Sequence, residues 1–241
     1  MTRVTAGKPR PASGDPLAAE ILRLIREQGL RPGDPMPTEL ELIDRLEVSR
    51  NTVREAIRGL RALGIVEIRH GHGTFVGEGS LAVLAPSLVF RTLADGGAGG
   101  LLNLVDIREL VEVGTMDVLA GALSAETLAR LDELCDEMVR TALDPEVDRE
   151  FHRTLYGGLA NPLVGQLVDL FWDSYHAAES ALTLPTDAQN VAHTAEQHRA
   201  IVAALRAADP RHARTAMTEH FADIRARLTR IDDAVAESAD R

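Results

Sequence analysis

The sequence predicts a mainly helical chain in two parts: three helices and a β-hairpin near the N-terminus, then a longer all-helical bundle. Three observations predict it. Apolar residues recur at three- and four-residue steps through most of the 241 residues, the spacing of one helix face. Aromatic residues make up only 3%, while Ala, Leu, Val, Glu and Arg abound, side chains that keep most of their freedom on a helix. A single strand-like stretch interrupts the pattern: IVEIR, the turn HGHG, then TFV (65–76).

Taken in order, residues 1–14 lack an apolar run and read as a disordered arm, not a signal peptide. Asp15 can cap a first helix with Leu17, Ile21, Leu22 and Ile25 on one face, and Gly29 closes it. RPGDPMP (31–37) is a proline-rich loop. Thr38 caps a short second helix with Leu40, Leu42, Ile43 and Leu46 as its apolar set. Ser49 caps a third, with Val53, Ile57, Leu60 and Leu63 facing inward and Gly64 ending it. With the hairpin this makes a first domain over 15–77. Residues 78–100 read as a linker, with a connecting helix over 86–94 and a flexible break at GGAGG (96–100). Helices are then expected near 102–121, 125–142, 146–159, 162–182, 187–207 and 210–236, forming a second domain over 101–236. Ser124 and Asp209-Pro210 are the expected starts of two of them.

Composition excludes several classes. No run of 18 residues is free of charge, so no membrane partner is expected. Cys135 is the only cysteine, which rules out an intramolecular disulfide and a four-cysteine zinc site and suits a reducing cytoplasm. The net charge of −11 is unevenly spread. Residues 1–77 carry 12 Lys+Arg against 10 Asp+Glu, and residues 78–241 carry 14 against 27. The positive balance therefore sits at the N-terminal end.

Two short helices joined by a tight turn place the second in a DNA major groove, read from its N-terminal end. Here that end is Ser49, Arg50, Asn51, Thr52, Val53, Arg54. Arginine reads guanine edges through paired hydrogen bonds, and Ser, Thr and Asn suit phosphates or bases. A Gly-rich hairpin after that helix makes a wing: Gly71 and Gly73 allow close backbone approach, and His70 or His72 can donate. The arginines alone would equally suit a solvated face; the whole order of elements points to a winged helix-turn-helix.

PTELEL (37–42), VSRNTVREAIRGL (48–60) and LGIVEIRHGHGTFV (63–76) resemble the GntR family of bacterial regulators. The resemblance implies operator contact by Thr38, Ser49, Arg50, Asn51, Thr52, Arg54, His70 and Gly71. Leu40 stands where the family pattern has arginine, which removes one expected DNA-contacting cation.

Asp148 and His152 lie four apart and share a helix face, while His198 and His220 fall on two later helices. If the bundle brings these helices together, the set is an Asp and three His, ligands that suit Zn, Ni or Mn. His176, His193 and His212 read as isolated surface residues. Most aromatics beyond residue 150 read as core. DIRELVE (106–112), DREFHRTL (148–155), ANPLV (160–164), EQHRAIVAAL (196–205) and EHF (219–221) resemble the FCD ligand-binding domain of FadR-type GntR regulators. The resemblance implies a divalent metal, zinc foremost, held by Asp148, His152, His198 and His220. It also implies Arg108 near an effector pocket, though Arg108 could equally form a surface ion pair with Glu112. DSYHAAESAL (173–182) lacks arginines often found there in the family.

Together these readings imply a homodimeric, cytoplasmic regulator, a repressor in the first instance, binding operator DNA and a small organic acid. An FCD domain with a metal-free pocket and a metal-dependent enzyme are the alternatives. No paired general base is evident for the enzyme.

Overall fold

A computed structural model describes residues 16–94, 97–182 and 191–239. The expected arm over 1–14, the cap at Asp15 and the helix start at 187–190 lie outside them. The chain divides into two compact units, Met1–Val83 and Leu84–Arg241.

The first unit runs α1 (Pro16–Glu27), α2 (Glu39–Leu46), α3 (Arg50–Ala62), β1 (Val66–Arg69) and β2 (Gly73–Val76). Gly29 and Gly64 end α1 and α3 at φ +66°, a conformation glycine adopts without Cβ strain. The amides that follow close both ends: Leu30 N–H donates to the Ile25 carbonyl at 3.1 Å, Ile65 N–H to Leu60 at 3.0 Å. Thr38 and Glu41 form a reciprocal capping box at the start of α2. Ser49 accepts from the Thr52 amide at the start of α3. β1 and β2 pair antiparallel, Val66 opposite Val76 and Arg69 opposite Gly73. Part of the proline-rich loop joins the hairpin, with Pro35 bridged to Phe75 and the Met36 amide donating to the Thr74 carbonyl at 2.8 Å. Ile21, Leu42, Val53, Ile57, Leu60 and Val66 form the core. Two expected core residues are not in it: Leu40 is 67% exposed and Leu63 is 50% exposed. Leu40 falls in the first turn of α2, on its outer side, and Leu63 is already the C-cap of α3.

A 3-10 turn (Leu81–Leu84) spans the boundary, and the second unit runs α4 (Ala85–Ala94), α5 (Gly97–Leu119), α6 (Ala125–Arg140), α7 (Pro145–Tyr156), α8 (Pro162–Leu182), α9 (Val191–Arg206) and α10 (Pro210–Ala239). The two expected starts are present, and a third, at Asp144, was not anticipated. Ser124 caps α6, and Asp144 with Pro145 opens α7. Asp209 accepts the His212 amide at 3.0 Å beside Pro210. α5 packs against α10, α8 and α4; α9 packs against α10 and α6; α7 packs against α6 and α8. Leu101, Leu104, Met116, Leu131, Phe151 and Phe221 belong to the shared core.

The flexible break expected at GGAGG is partly helix, since α5 begins at Gly97. Packing explains this: a Cβ on Gly100 would collide with the Thr92 carbonyl oxygen of α4. Glycine there is a close-approach residue, not a hinge. Gly100→Ala should therefore lower stability by about 1–3 kcal/mol, an overpacking cost. Gly99, with open space around its α-carbon, should tolerate alanine in the same melting experiment.

Candidate functional site

α5 presents Leu101, Leu104, Val105, Met116 and Leu119 to the core on one inward stripe. Arg108 and Glu112 lie on the same stripe, at 4% and 0% exposure. Buried charge of this kind is costly unless paired. Arg108 Nε donates to Glu112 Oε1 at 2.9 Å, so the pair expected at the surface is a buried one. Tyr156 of α7 donates its hydroxyl to Glu112 Oε2 at 2.9 Å. Burial, then the Glu112 charge, push the Tyr156 pKa well up, which keeps the hydroxyl a donor. Burial works to raise the Glu112 pKa too, but Arg108 and His152 outweigh it and hold the carboxyl at about 2.

Around this pair three helices deliver the expected metal ligands. α7 brings Asp148 and His152, α9 brings His198 and α10 brings His220. All three histidines are buried, and ligand nitrogens of the three lie within 4.8 Å of one another. One is hydrogen-bonded through its other ring nitrogen and a second lies beside a carboxylate without hydrogen-bond geometry. His152 Nδ1 sits 2.9 Å from Glu112 Oε2, and His198 Nδ1 sits 2.8 Å from the Thr194 carbonyl oxygen. That arrangement points Nε2 of each ring into the cluster, the way a carboxylate or carbonyl orients a metal-binding imidazole. Asp148 Oδ1 lies 3.0 Å from His198 Nε2 and 3.7 Å from His152 Nε2.

The donor set fits a divalent ion on one observation. Asp148 Oδ1, His152 Nε2, His198 Nε2 and His220 Nδ1 are buried without a hydrogen-bond partner. Four orphaned donor atoms converging this way leave a large desolvation cost unmet. Ligands at about 2.1 Å around a tetrahedral ion lie about 3.4 Å apart, and Asp148 Oδ1 stands 3.0 and 3.7 Å from the His198 and His152 nitrogens, on either side of that value. The protonation states agree. Burial opposes ionisation of Asp148, but His198, His152 and His220 hold its pKa well below the carboxylate range. Burial, with His198 and His152, pushes His220 well down, so its imidazole stays neutral and able to ligate.

A cavity of about 390 Å³ opens onto the cluster, lined by Arg108, Asp148 and His220 among others. Arg108 Nη2 is buried and lacks a hydrogen-bond partner. His176 and His193, read from sequence as isolated surface residues, line the same cavity. His212 is exposed and pairs with Asp209 at 2.6 Å. Tyr175 also lines the cavity, while Phe151 and Phe221 pack in the core as expected. Sequence reading missed Glu112 as the orienting carboxylate. Its signal was present, because Arg108 and Glu112 continue the apolar stripe of α5.

In the first unit Thr38, Ser49, Arg50, Asn51, Thr52, Arg54, His70 and Gly71 are all exposed. Thr38 and Ser49 spend hydroxyl hydrogen bonds on their caps, and Ser49 Oγ lies 2.8 Å from Thr52 Oγ1. Glu39 sits 3.8 Å from the Arg50 guanidinium, which ties the start of α2 to the start of α3. Gly71, at φ +77°, makes the tight turn of the hairpin tip.

Comparison with known proteins agrees with this arrangement. Residues 14–76 match the family model for bacterial regulatory proteins of the gntR family, and residues 103–223 match that for the FCD domain. The chain is 30% identical over 210 residues to the uncharacterized HTH-type transcriptional regulator YcbG of Bacillus subtilis, covering 86% of each chain. It is 27% identical to the galactonate operon transcriptional repressor of Escherichia coli, covering 83% of this chain and 90% of that one. The solved GntR structure from Streptococcus agalactiae superposes with a TM-score of 0.63 at 28% identity, covering 87% of this chain and 97% of that one. These named relatives are transcription regulators or GntR proteins, not enzymes. Among the described residues no helix is long and apolar enough to cross a membrane. The chain belongs to the GntR family of bacterial transcription regulators, with an FCD domain as its second unit.

Proposed function

We propose that the protein is a cytoplasmic, homodimeric repressor. Its hold on operator DNA is set by a small organic acid bound at a divalent-metal site in the FCD unit. The observation that carries this reading is the convergence of four unpartnered buried donor atoms from Asp148, His152, His198 and His220 at the wall of a cavity. Zinc is the leading ion for a three-histidine set, with nickel and manganese as the other candidates. An ion held there supplies positive charge and open positions for a carboxylate. Arg108 lines the same cavity and its Nη2 is buried without a partner, which supports a role as donor to the acid's second oxygen. Glu112 fixes Arg108 in that posture and sets a carboxylate oxygen 2.9 Å from His152 Nδ1.

On the DNA side, the proposed contacts are Arg50, Asn51 and Arg54 to base edges and Thr38, Ser49 and Thr52 to phosphates. His70 and Gly71 form the wing contact. Leu40 offers no charge at the start of α2. It can give only apolar contact to the groove, so affinity rests on the arginines. A second copy supplies the second recognition helix. Exposed Ile107, Leu110 and Val118 on α5 support a partner that covers them. The sign as a repressor takes support from the galactonate operon relative, whose name records repression.

Arg50→Ala and Arg54→Ala should each weaken specific operator binding by about 1–3 kcal/mol if they make base contacts. Titration of the promoter region in a mobility-shift assay checks this. Near-wild-type affinity for both variants would misplace the recognition helix.

A further inference from the structure

Four residues open α2, and three of them are already engaged. Thr38 Oγ1 accepts the Glu41 amide at 3.3 Å, and the Glu41 carboxylate accepts from the Thr38 amide at 2.7 Å and from its hydroxyl at 3.0 Å. Glu39 is paired with Arg50 at 3.8 Å. Leu40 is the fourth, and it is 67% exposed. Leu42, two positions on and fully buried, lies about 200° round the helix, so Leu40 leaves α2 on the side opposite the core.

An exposed leucine is ordinary on a protein surface. The place of this one is not. α2 packs against α3, and the Glu39–Arg50 pair joins their first turns. Leu40 follows Glu39 directly, so it emerges beside the end of α3 that carries Arg50, Asn51 and Arg54. Leu63, also exposed, is the C-cap of α3 and lies about 20 Å from Arg50 along the axis.

A duplex offers little that suits a leucine at that end. Phosphate oxygens and the hydrogen-bonding edges of guanine, adenine and cytosine lose water against an alkyl chain and gain no bond. The C5-methyl of thymine is the apolar group that bases present in the major groove, and apolar side chains pack on it.

We propose that Leu40 is a specificity-determining residue of the DNA-binding unit, its side chain packing on the C5-methyl of one thymine in each operator half-site. The proposal rests on the recognition-helix reading above and adds a base preference read from α2 instead of α3.

The test pairs a protein change with a one-methyl change in the DNA. Full-length wild type and Leu40→Ala each select from one pool of randomised duplexes. The two selections should agree except at one base pair per half-site, where the wild type takes T·A and the alanine variant shows no preference. In the wild-type consensus that thymine is then replaced by deoxyuridine, which removes only the methyl. Wild-type affinity should fall about fourfold, the worth of one methyl buried against leucine, and Leu40→Ala should bind the two duplexes alike. Identical consensus sequences for the two proteins would overturn the proposal, and so would equal wild-type affinity for the thymine and uracil duplexes. An equal loss in both proteins would give the methyl contact to another residue and overturn it as well. A pool that yields no consensus with either protein would overturn the recognition-helix reading itself.

Discussion

Glu112→Ala is expected to cost about 3–5 kcal/mol of folding stability, the effect of leaving a buried ion uncompensated. Arg108 is 4% exposed, and its contact with Glu112 at 2.9 Å is the ion pair that balances it. Truncation also strands the Tyr156 hydroxyl. For a domain of this size the loss corresponds to a melting temperature lower by roughly 10 °C. Arg108→Met combined with Glu112→Met should recover part of it, since replacing both members of a buried pair is far milder than breaking it. A melting temperature for Glu112→Ala close to that of the wild type would show that the pair does not carry the charge balance of the core. Metal binding adds a second readout. Without Glu112 the His152 ring loses its orienting partner, and metal affinity should fall by about 10–100-fold.

The other large effect belongs to the metal ligands. His198→Ala with His220→Ala removes two of the three histidines whose nitrogens meet in the cluster. The remaining Asp148 and His152 lie on one helix and cannot enclose an ion. Metal content after purification without chelator should fall from about one ion per chain to background. Zinc should raise the melting temperature of the wild type, because an ion bound only by the folded state stabilises it by mass action. The double variant should show no such rise. Equal metal content in both proteins would refute the site.

Much of this was legible in the sequence, and the reasons are physical. Caps at Thr38, Ser49 and Ser124 are local events between a side chain and an amide two or three residues on, so they can be read from a window. The hairpin follows from its glycines, and Gly71 and Gly73 both have positive φ. Asp148 and His152 share a helix face by spacing alone, whereas their meeting with His198 and His220 came from family resemblance. Periodicity states which face points inward but not which faces meet. For that reason Glu112 went unassigned, and nothing in the sequence set His176 and the exposed His193 at the cavity wall. GGAGG was read as a break because the close approach of Gly100 to Thr92 is tertiary information. Leu40 and Leu63 were placed in the core because an apolar residue at a helix end cannot be told from one that continues the stripe.

The most direct test of the account is a mobility-shift titration on the DNA upstream of the protein's own gene, with the protein chelator-stripped or zinc-loaded, each with and without a panel of small organic acids (glycolate, citrate, D-gluconate). The account expects a sequence-specific complex that Arg54→Ala weakens and that an acid of the panel releases only from the zinc-loaded protein. A complex that responds to an acid equally with and without metal, or no specific complex at all, would contradict it.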